Sequence, residues 1–595
     1  MKAKWIVSNI REVFTIILRQ NPLYLLFSVL QIATTIIQPF ISIFLFKYLL
    51  DTLDHGDPFS YSVRIILLFL IISLVNSNLR IVADNFTKLY AKNQMIPMSM
   101  MFCKKAVEMD YQNIENPEIA NEINRAVNVL LNKDHLEHYL GSINSICISF
   151  GQLLITMVIM SKMNVLVLMT IGAVTLLNYL IHLKAQQRNH ETRKEIAPVD
   201  REWRYLTSLT HDSSFGKAVR VFGLDQFLMH KIEGNRKRFI AIRRRMANRD
   251  FSSSFWVDIL NVVQEAIIFL WLVFSVIYNG LSLGNFSLIF NSSQQLTESF
   301  STLSNGFVKL YQNNNYINDF FSFLCREERL RKGGSKFVDW EGGTGILELD
   351  HVSFRYPGSD RYAIKDLNLI IAPGERITIV GDNGAGKTTL VKLIMRLYDV
   401  TEGEIRYNGM NIKQYDYDEY LSVISTVFQD YKILAASIYE NIALNDVNEA
   451  DKAKLDEILI NCGLMDKVKS LPAGGETLLS RVYDQEGVEL SEGQKQSIAL
   501  GRALYKEAPV VILDEPTASL SPMAERDLYA RFDELTQGKT VIYISHRLSS
   551  AQISDKICVI HDGMLAEYGS HEELIGLNGI YAKMFTLQSK YYETA

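Results

Sequence analysis

The residues best equipped for chemistry form one run: Gly381, Asp382, Asn383, Gly384, Ala385, Gly386, Lys387 and Thr388, followed by Thr389. Their spacing is GxxxxGK[ST]. The run lies between a β-branched stretch, residues 376–380, and a segment predicted to be helical over 389–397. Glycines let the backbone curl so that successive N–H groups and the following helix N-terminus surround phosphates. A lysine there reaches the β- and γ-phosphates, and a threonine hydroxyl holds magnesium. Binding of ATP or GTP with Mg2+ is the chemistry expected. A second candidate is the apolar run 510–513 ending in Asp514 and Glu515. In a phosphate-loop NTPase an Asp at such a strand end supports the magnesium, and a neighbouring Glu polarises the attacking water. On its own, an Asp-Glu pair before Pro516 reads equally well as a turn; downstream of a phosphate loop the catalytic reading gains weight.

Such motifs need an α/β scaffold, and the sequence supplies one from about residue 346. Short β-branched runs at 376–380, 510–513 and 540–544 read as buried strands separated by amphipathic helices. The preceding stretch, 326–345, is charged and holds two Gly-Gly pairs, so it reads as a linker. The first half differs. Long apolar stretches run over about 23–50, 63–82, 140–160, 165–183 and 254–278, each near or above the ~20 residues that cross a bilayer as a helix. A sixth, 281–324, is helix-like but rich in amides, with Asn291, Gln294, Gln295 and Asn305 as candidates for lining a cargo cavity. Beyond Asn305 it reads equally as a cytosolic extension. The expected division is a transmembrane domain with six helices over 1–325, a linker over 326–345 and a nucleotide-binding domain over 346–595. The fold class is an all-α six-helix membrane domain fused to a cytosolic α/β P-loop NTPase.

Charge sets orientation and excludes some partners. Residues 184–250 carry 16 Lys/Arg against eight Asp/Glu, whereas 51–60 hold three aspartates and no Lys or Arg. The positive-inside bias puts the long loops and both termini in the cytoplasm, with the basic loop near anionic lipid. A net charge of −5 over 595 residues lacks the basic excess of a general nucleic-acid binder. The five cysteines are far apart without a CxxC pair, so they are expected to be reduced and structural. No secretory signal is expected, and an apolar run starting by residue 23 leaves no expected room for an N-terminal peptidase domain.

The residues between and after the two NTPase motifs carry a family likeness. Leu490-Ser491-Glu492-Gly493-Gln494 resembles the signature loop of the ATP-binding cassette superfamily, usually LSGGQ. Tyr356 matches the aromatic residue that stacks on adenine, Gln429 the Q-loop residue that reaches the metal, and His546 the switch histidine. Six spans followed by one cassette resemble an exporter half-transporter. Residues 110–118, with Asn116 and Pro117, and residues 216–224, with Arg220, Phe222 and Gly223, resemble its two coupling helices.

That resemblance implies a mechanism and a set of partners. Two cassettes face head to tail, each ATP being held between one phosphate loop and Ser491, Gly493 and Gln494 of the other chain. Glu515 and His546 act in hydrolysis, Thr388, Gln429 and Asp514 hold Mg2+, and closure drives alternating access. The partners implied are a second half-transporter chain (a homodimer first, a heterodimer second), the lipid bilayer and an exported substrate, with no nucleic acid. The location implied is a bacterial inner or plasma membrane. The motor most resembles bacterial peptide and bacteriocin exporters. Lipid or hydrophobic-drug export is the alternative, with metal-chelate import or an ATP-gated channel or regulator further off. Two departures stand out: Glu492 replaces a glycine of the signature, the first of its two, and Ser521 replaces the D-loop aspartate. Glu492 is expected to weaken closure unless it turns aside or pairs with a base.

Overall fold

The computed structural model describes residues 2–131, 134–161, 165–328, 330, 345–482, 484–514, 532–545 and 550–593. Two compact units emerge: Met1–Ala106 with Glu122–Cys325, and Val107–Asn121 with Arg326–Ala595.

Helices make up the first unit. In chain order they are α1 (Lys2–Gln20), α2 (Leu23–Asp54), α3 (Phe59–Asn93), α4 (Met95–Val107), α5 (Tyr111–Ile114), α6 (Pro117–Leu131), α7 (Asp134–Met160), α8 (Val165–His211), α9 (Ser213–Val221), α10 (Asp225–Asn279) and α11 (Leu283–Leu324). Of these, α5 belongs to the second unit and α6 begins there. Among the described residues, four segments are long and apolar enough to cross a membrane: Leu23–Asp54, Phe59–Val107, His135–Met160 and Asp225–Asn279. The helices α8 and α11 cover the other two spans expected from sequence. On α3 the apolar side chains Leu67, Leu68, Leu70 and Ile71 are exposed, which suits a lipid-facing surface. The interior is mixed. Leu153, Met160, Ile268, Leu272 and Leu296 form an apolar cluster, and small polar residues Ser287, Ser292, Ser293 and Ser299 are buried along α11, allowing close helix approach. The turn from α10 to α11 uses Gly280 at φ +65°, whose N–H closes on the Ser275 carbonyl. Ser282 then caps α11, its hydroxyl accepting from the Asn285 N–H.

The second unit carries two sheets. One is antiparallel, β2 (Ile364–Ile371), β1 (Leu347–Phe354), β4 (Glu402–Tyr407) and β5 (Met410–Asn411) in that order. The other runs β10 (Met564–Gly569), β9 (Lys556–His561), β3 (Arg376–Val380), β8 (Thr540–Ile544), β7 (Val510–Asp514) and β6 (Ile424–Val427). Its β9, β3, β8, β7 and β6 pair in parallel. The continuous apolar runs of β7 and β8 follow from burial on both faces. Alternation sorts their side chains: Val510, Ile512, Ile542 and Ile544 enter one core, while Val511, Leu513, Val541 and Tyr543 enter the other. The central strands fall where the sequence predicts them. The phosphate-loop helix α12 (Lys387–Ile394) starts two residues before its predicted beginning and stops earlier, because Arg396 turns to φ +51°.

Candidate nucleotide-binding site

Parallel register gathers the chemistry at one edge of the six-stranded sheet. Val427 pairs with Leu513, Asp514 with Ile544, and Ile544 with Ile379. Strands about 4.8 Å apart therefore bring the C-terminal ends of β3, β8, β7 and β6 within roughly 15 Å of one another. Gly381, Ser545 and Phe428 leave the ends of β3, β8 and β6. Such an edge is where open α/β sheets bind ligands. Glu515, His546 and Ser521 lie outside the described residues.

The phosphate loop has the curled backbone that its glycines permit. Gly386 sits at φ +109°, and a Cβ there would fall 2.7 Å from the Ala363 carbonyl oxygen. At Gly381 a Cβ would lie 2.2 Å from the Ile560 carbonyl oxygen. Asp382, Asn383 and Gly384 form the exposed crest, and Ala385 turns into the core. Lys387, only 5% exposed, folds back over the loop and donates to the carbonyl oxygens of Gly381 (2.7 Å) and Asp382 (3.0 Å). Its ammonium is thus held over the concavity formed by the loop. Asp514 is buried at the end of β7, Thr388 is exposed on the first turn of α12, and Gln429 is exposed in the turn after β6. Among the described residues no group of three or more His, Cys, Asp or Glu is placed to hold a metal ion. The oxygen donors Thr388, Asp514 and Gln429 suit Mg2+, which takes few protein ligands and completes its shell with phosphate oxygens and water.

Tyr356, expected to stack on a base, stands at the end of β1. Its hydroxyl lies 2.9 Å from the Thr389 hydroxyl. Phe354 and Tyr398 meet its ring edge-on at 5.0 and 5.4 Å.

The signature loop opens the helix Glu492–Tyr505. Ser491 caps it: its hydroxyl accepts from the Gln494 N–H at 3.3 Å, and the Gln494 side-chain oxygen accepts from the Ser491 N–H at 3.0 Å. Gly493 lies in the first turn. Glu492 meets the condition set by its sequence context, because its carboxylate pairs with Lys495 at 2.8 Å, one turn along. That bond holds the Lys495 ammonium above its ordinary pKa.

The two segments resembling coupling helices differ in their setting. In the first, Asn116 caps α6 by accepting from the Glu118 N–H at 2.9 Å, and Pro117 takes the first helical position, where no N–H is needed. In the second, Arg220 donates back to the Gly216 carbonyl at 2.9 Å, Phe222 is 73% exposed and Gly223 turns at φ +59°.

Within the helical unit, α2, α3, α7 and α11 enclose a cavity of about 840 Å³. Two of the four amides expected there, Gln295 and Asn305, line it; Asn291 and Gln294 do not. The Asn291 amide instead donates to the Ser287 carbonyl one turn back, and Gln294 is exposed. Charged lining groups went unrecognised in the sequence: Arg80, Asp84, Lys88, Glu137, Glu298 and Lys309. The i, i+4 spacing of Arg80, Asp84 and Lys88 in an otherwise apolar stretch was the available signal. Asp84 accepts from Lys88 (2.7 Å) and Gln31 (2.9 Å), and Gln31 in turn accepts from Asn144 (3.0 Å).

Residues 364–518 match the model of the ABC transporter family. The chain is 28% identical to the subtilin transport ATP-binding protein SpaT of Bacillus subtilis, over 92% of this chain and 89% of that protein. It is also 28% identical to the nisin transport ATP-binding protein NisT of Lactococcus lactis, over 96% and 94%. An ATP-dependent lipid A-core flippase of Salmonella typhimurium is 31% identical over 53% of each chain. A bacterial Atm1-family ABC exporter solved with ATP bound superposes with a TM-score of 0.79 at 21% identity, covering 96% of this chain and 98% of that one. Residues 364–518 are thus an ABC transporter ATPase domain, and it stands in one polypeptide with apolar helices in the fold of an ABC exporter.

Proposed function

We propose that the chain exports a polar peptide across a bacterial plasma membrane by ATP-driven alternating access, working as one half of a two-chain assembly. The observation that carries the cargo class is the cavity lining. A lipid tail gains nothing from Asp84, Glu298, Arg80, Lys309 and an amide network, whereas a peptide's charged termini and backbone groups find partners in all of them. The near full-length likeness to relatives named for subtilin and nisin transport agrees with this reading.

In this account Lys387 releases its loop carbonyls and binds the β- and γ-phosphates, while the loop N–H groups surround them. Thr388, Asp514 and Gln429 would hold Mg2+, which would supply positive charge against the triphosphate when bound. Glu515 orients and polarises the attacking water, and His546 contacts the γ-phosphate. Ser491, Gly493 and Gln494 cover the nucleotide held by the other chain, and the positive end of their helix favours its γ-phosphate. ATP binds the closed pair better than the open one and shifts the population towards closure. Homodimeric pairing is the first arrangement, with both termini and the cassettes in the cytoplasm.

Reconstituted vesicles test the cargo. The purified chain should accumulate labelled hydrophilic peptides in the lumen of inside-out vesicles with MgATP, and Glu515→Gln should abolish accumulation. Movement of fluorescent lipids without peptide accumulation would overturn the peptide reading and favour a flippase.

A further inference from the structure

The segment Val107–Asn121, which joins two helices of the membrane unit, packs as part of the cassette unit. Its Glu115 accepts hydrogen bonds from Lys392 (2.7 Å), Tyr111 (2.8 Å) and Tyr398. Lys392 stands on α12, five residues beyond the phosphate-loop lysine. Its ammonium also lies 5.3, 5.9 and 6.0 Å from the ring centroids of Tyr111, Tyr398 and Tyr356, a range in which a cation is drawn to the ring face. One half-buried cation is thus shared between the carboxylate of the connecting segment and the aromatic ring expected to stack on the base. The Lys392 side chain is 19% exposed and that of Glu115 36%. Burial opposes ionisation of Glu115, but the bonds from Lys392, Tyr398 and Tyr111 outweigh it and hold its carboxyl below the ordinary value.

We infer that Lys392 and Glu115 are positioning residues that link occupancy of Tyr356 by a nucleobase to the grip on segment Val107–Asn121. A base on Tyr356 changes the field and the room around Lys392, and Lys392 holds Glu115. The segment therefore responds to the base as well as to the phosphates. This rests on the nucleotide-site reading above and extends it, since phosphate binding alone needs neither residue.

Hydrogen exchange on the full chain in lipid nanodiscs tests the link, with MgATP and magnesium ribose triphosphate, which lacks a base, as probes. MgATP should slow amide exchange across residues 110–118 about three- to tenfold more than ribose triphosphate does, the range for a partly exposed, charge-assisted bond. Glu115→Gln should erase that base-dependent difference, and Lys392→Met combined with Glu115→Gln should do no further harm, as expected for partners in one interaction. The charge exchange Glu115→Lys with Lys392→Glu should restore part of the difference, and Tyr356→Ala should remove it while keeping the response to triphosphate. Equal protection by both probes in the parent chain, or an undiminished difference in Glu115→Gln, overturns the link. Failure of MgATP to bind at all removes the nucleotide-site reading and the link together. Binding with an unresponsive segment removes the link alone.

Discussion

Substitution of Lys495 by Met leaves the Glu492 carboxylate without its partner at the mouth of the signature loop. Within the helix the loss is small. An exposed i, i+3 ion pair contributes about 0.3–0.5 kcal/mol, and a carboxylate in the first turn is favourable to the helix on its own. The effect at the cassette seam is larger. Placed about one Debye length, about 8–10 Å, from a triphosphate, a bare carboxylate is repelled by about 1–2 kcal/mol per unit charge at an effective dielectric of roughly 20–40. The Glu492 side chain is 67% exposed, so screening favours the lower end, about 1 kcal/mol or roughly fivefold at each site. If two sites close together, the closed population falls by roughly 25-fold, because the two penalties add. The assay is the MgATP concentration giving half-maximal hydrolysis in the purified chain. Lys495→Met should raise it three- to tenfold at low salt, less at high salt, with the maximal rate little changed. Adding Glu492→Gln should return it to the parental value. Gln is the better choice than Gly, which costs the helix about 1 kcal/mol more. An unchanged half-saturation in Lys495→Met, or a double variant as impaired as the single, refutes the idea that Lys495 neutralises Glu492.

Further outcomes follow from the same geometry. Gly381→Ala forces a Cβ to 2.2 Å from the Ile560 carbonyl oxygen; it should destabilise the cassette by about 2–4 kcal/mol, seen as a lowered midpoint in thermal unfolding. Lys387→Met should reduce ATP hydrolysis at least a hundredfold, with calorimetry showing weakened nucleotide binding, because no other described cation bonds to the loop carbonyls of Gly381 and Asp382. Glu298→Gln and Lys309→Met should shift which labelled peptides are transported, by charge and in opposite directions, without altering hydrolysis in the absence of cargo. The Glu115 carboxyl titrates below its ordinary value of 4.5, so its contribution is fully present above that pH and disappears as pH falls through the depressed value. Thermal unfolding of the parent and of Glu115→Gln should therefore differ by a constant amount from pH 8 to 5 and converge at lower pH.

Much of this molecule is legible in its sequence, for physical reasons. Strands buried on both faces must be continuous apolar runs, so β3, β7 and β8 fall where the runs do. The phosphate loop is legible because only glycine tolerates the backbone at Gly381 and Gly386. The Lys495 partner of Glu492 was equally available from its i, i+3 spacing. What sequence hides is long-range. Nothing near Glu115 announces that its partners are Lys392 and Tyr398, 277 and 283 positions away. The cavity shows the same limit: amide content marked α11, yet the cavity meets that helix only from Gln295 to Lys309, and Asn291, on the same stripe by spacing, lies one turn beyond its end and bonds to Ser287 instead. The charged residues of α3 were masked by the strong hydropathy around them.

Head-to-tail pairing of two cassettes over ATP is the claim on which the mechanism turns, and crosslinking tests it most directly. The five native cysteines are all free and can be replaced; single cysteines are then placed at Asn383 in the phosphate loop and at the exposed Glu489 beside the signature loop, which leaves the Lys495–Glu492 pair intact, in a Glu515→Gln background that retains nucleotide. A short bifunctional reagent should join the two positions between chains with MgATP present and not without it, in paired copies or between this chain and a sister chain. Intermolecular crosslinking that is absent, or is indifferent to nucleotide in both pairings, contradicts the account.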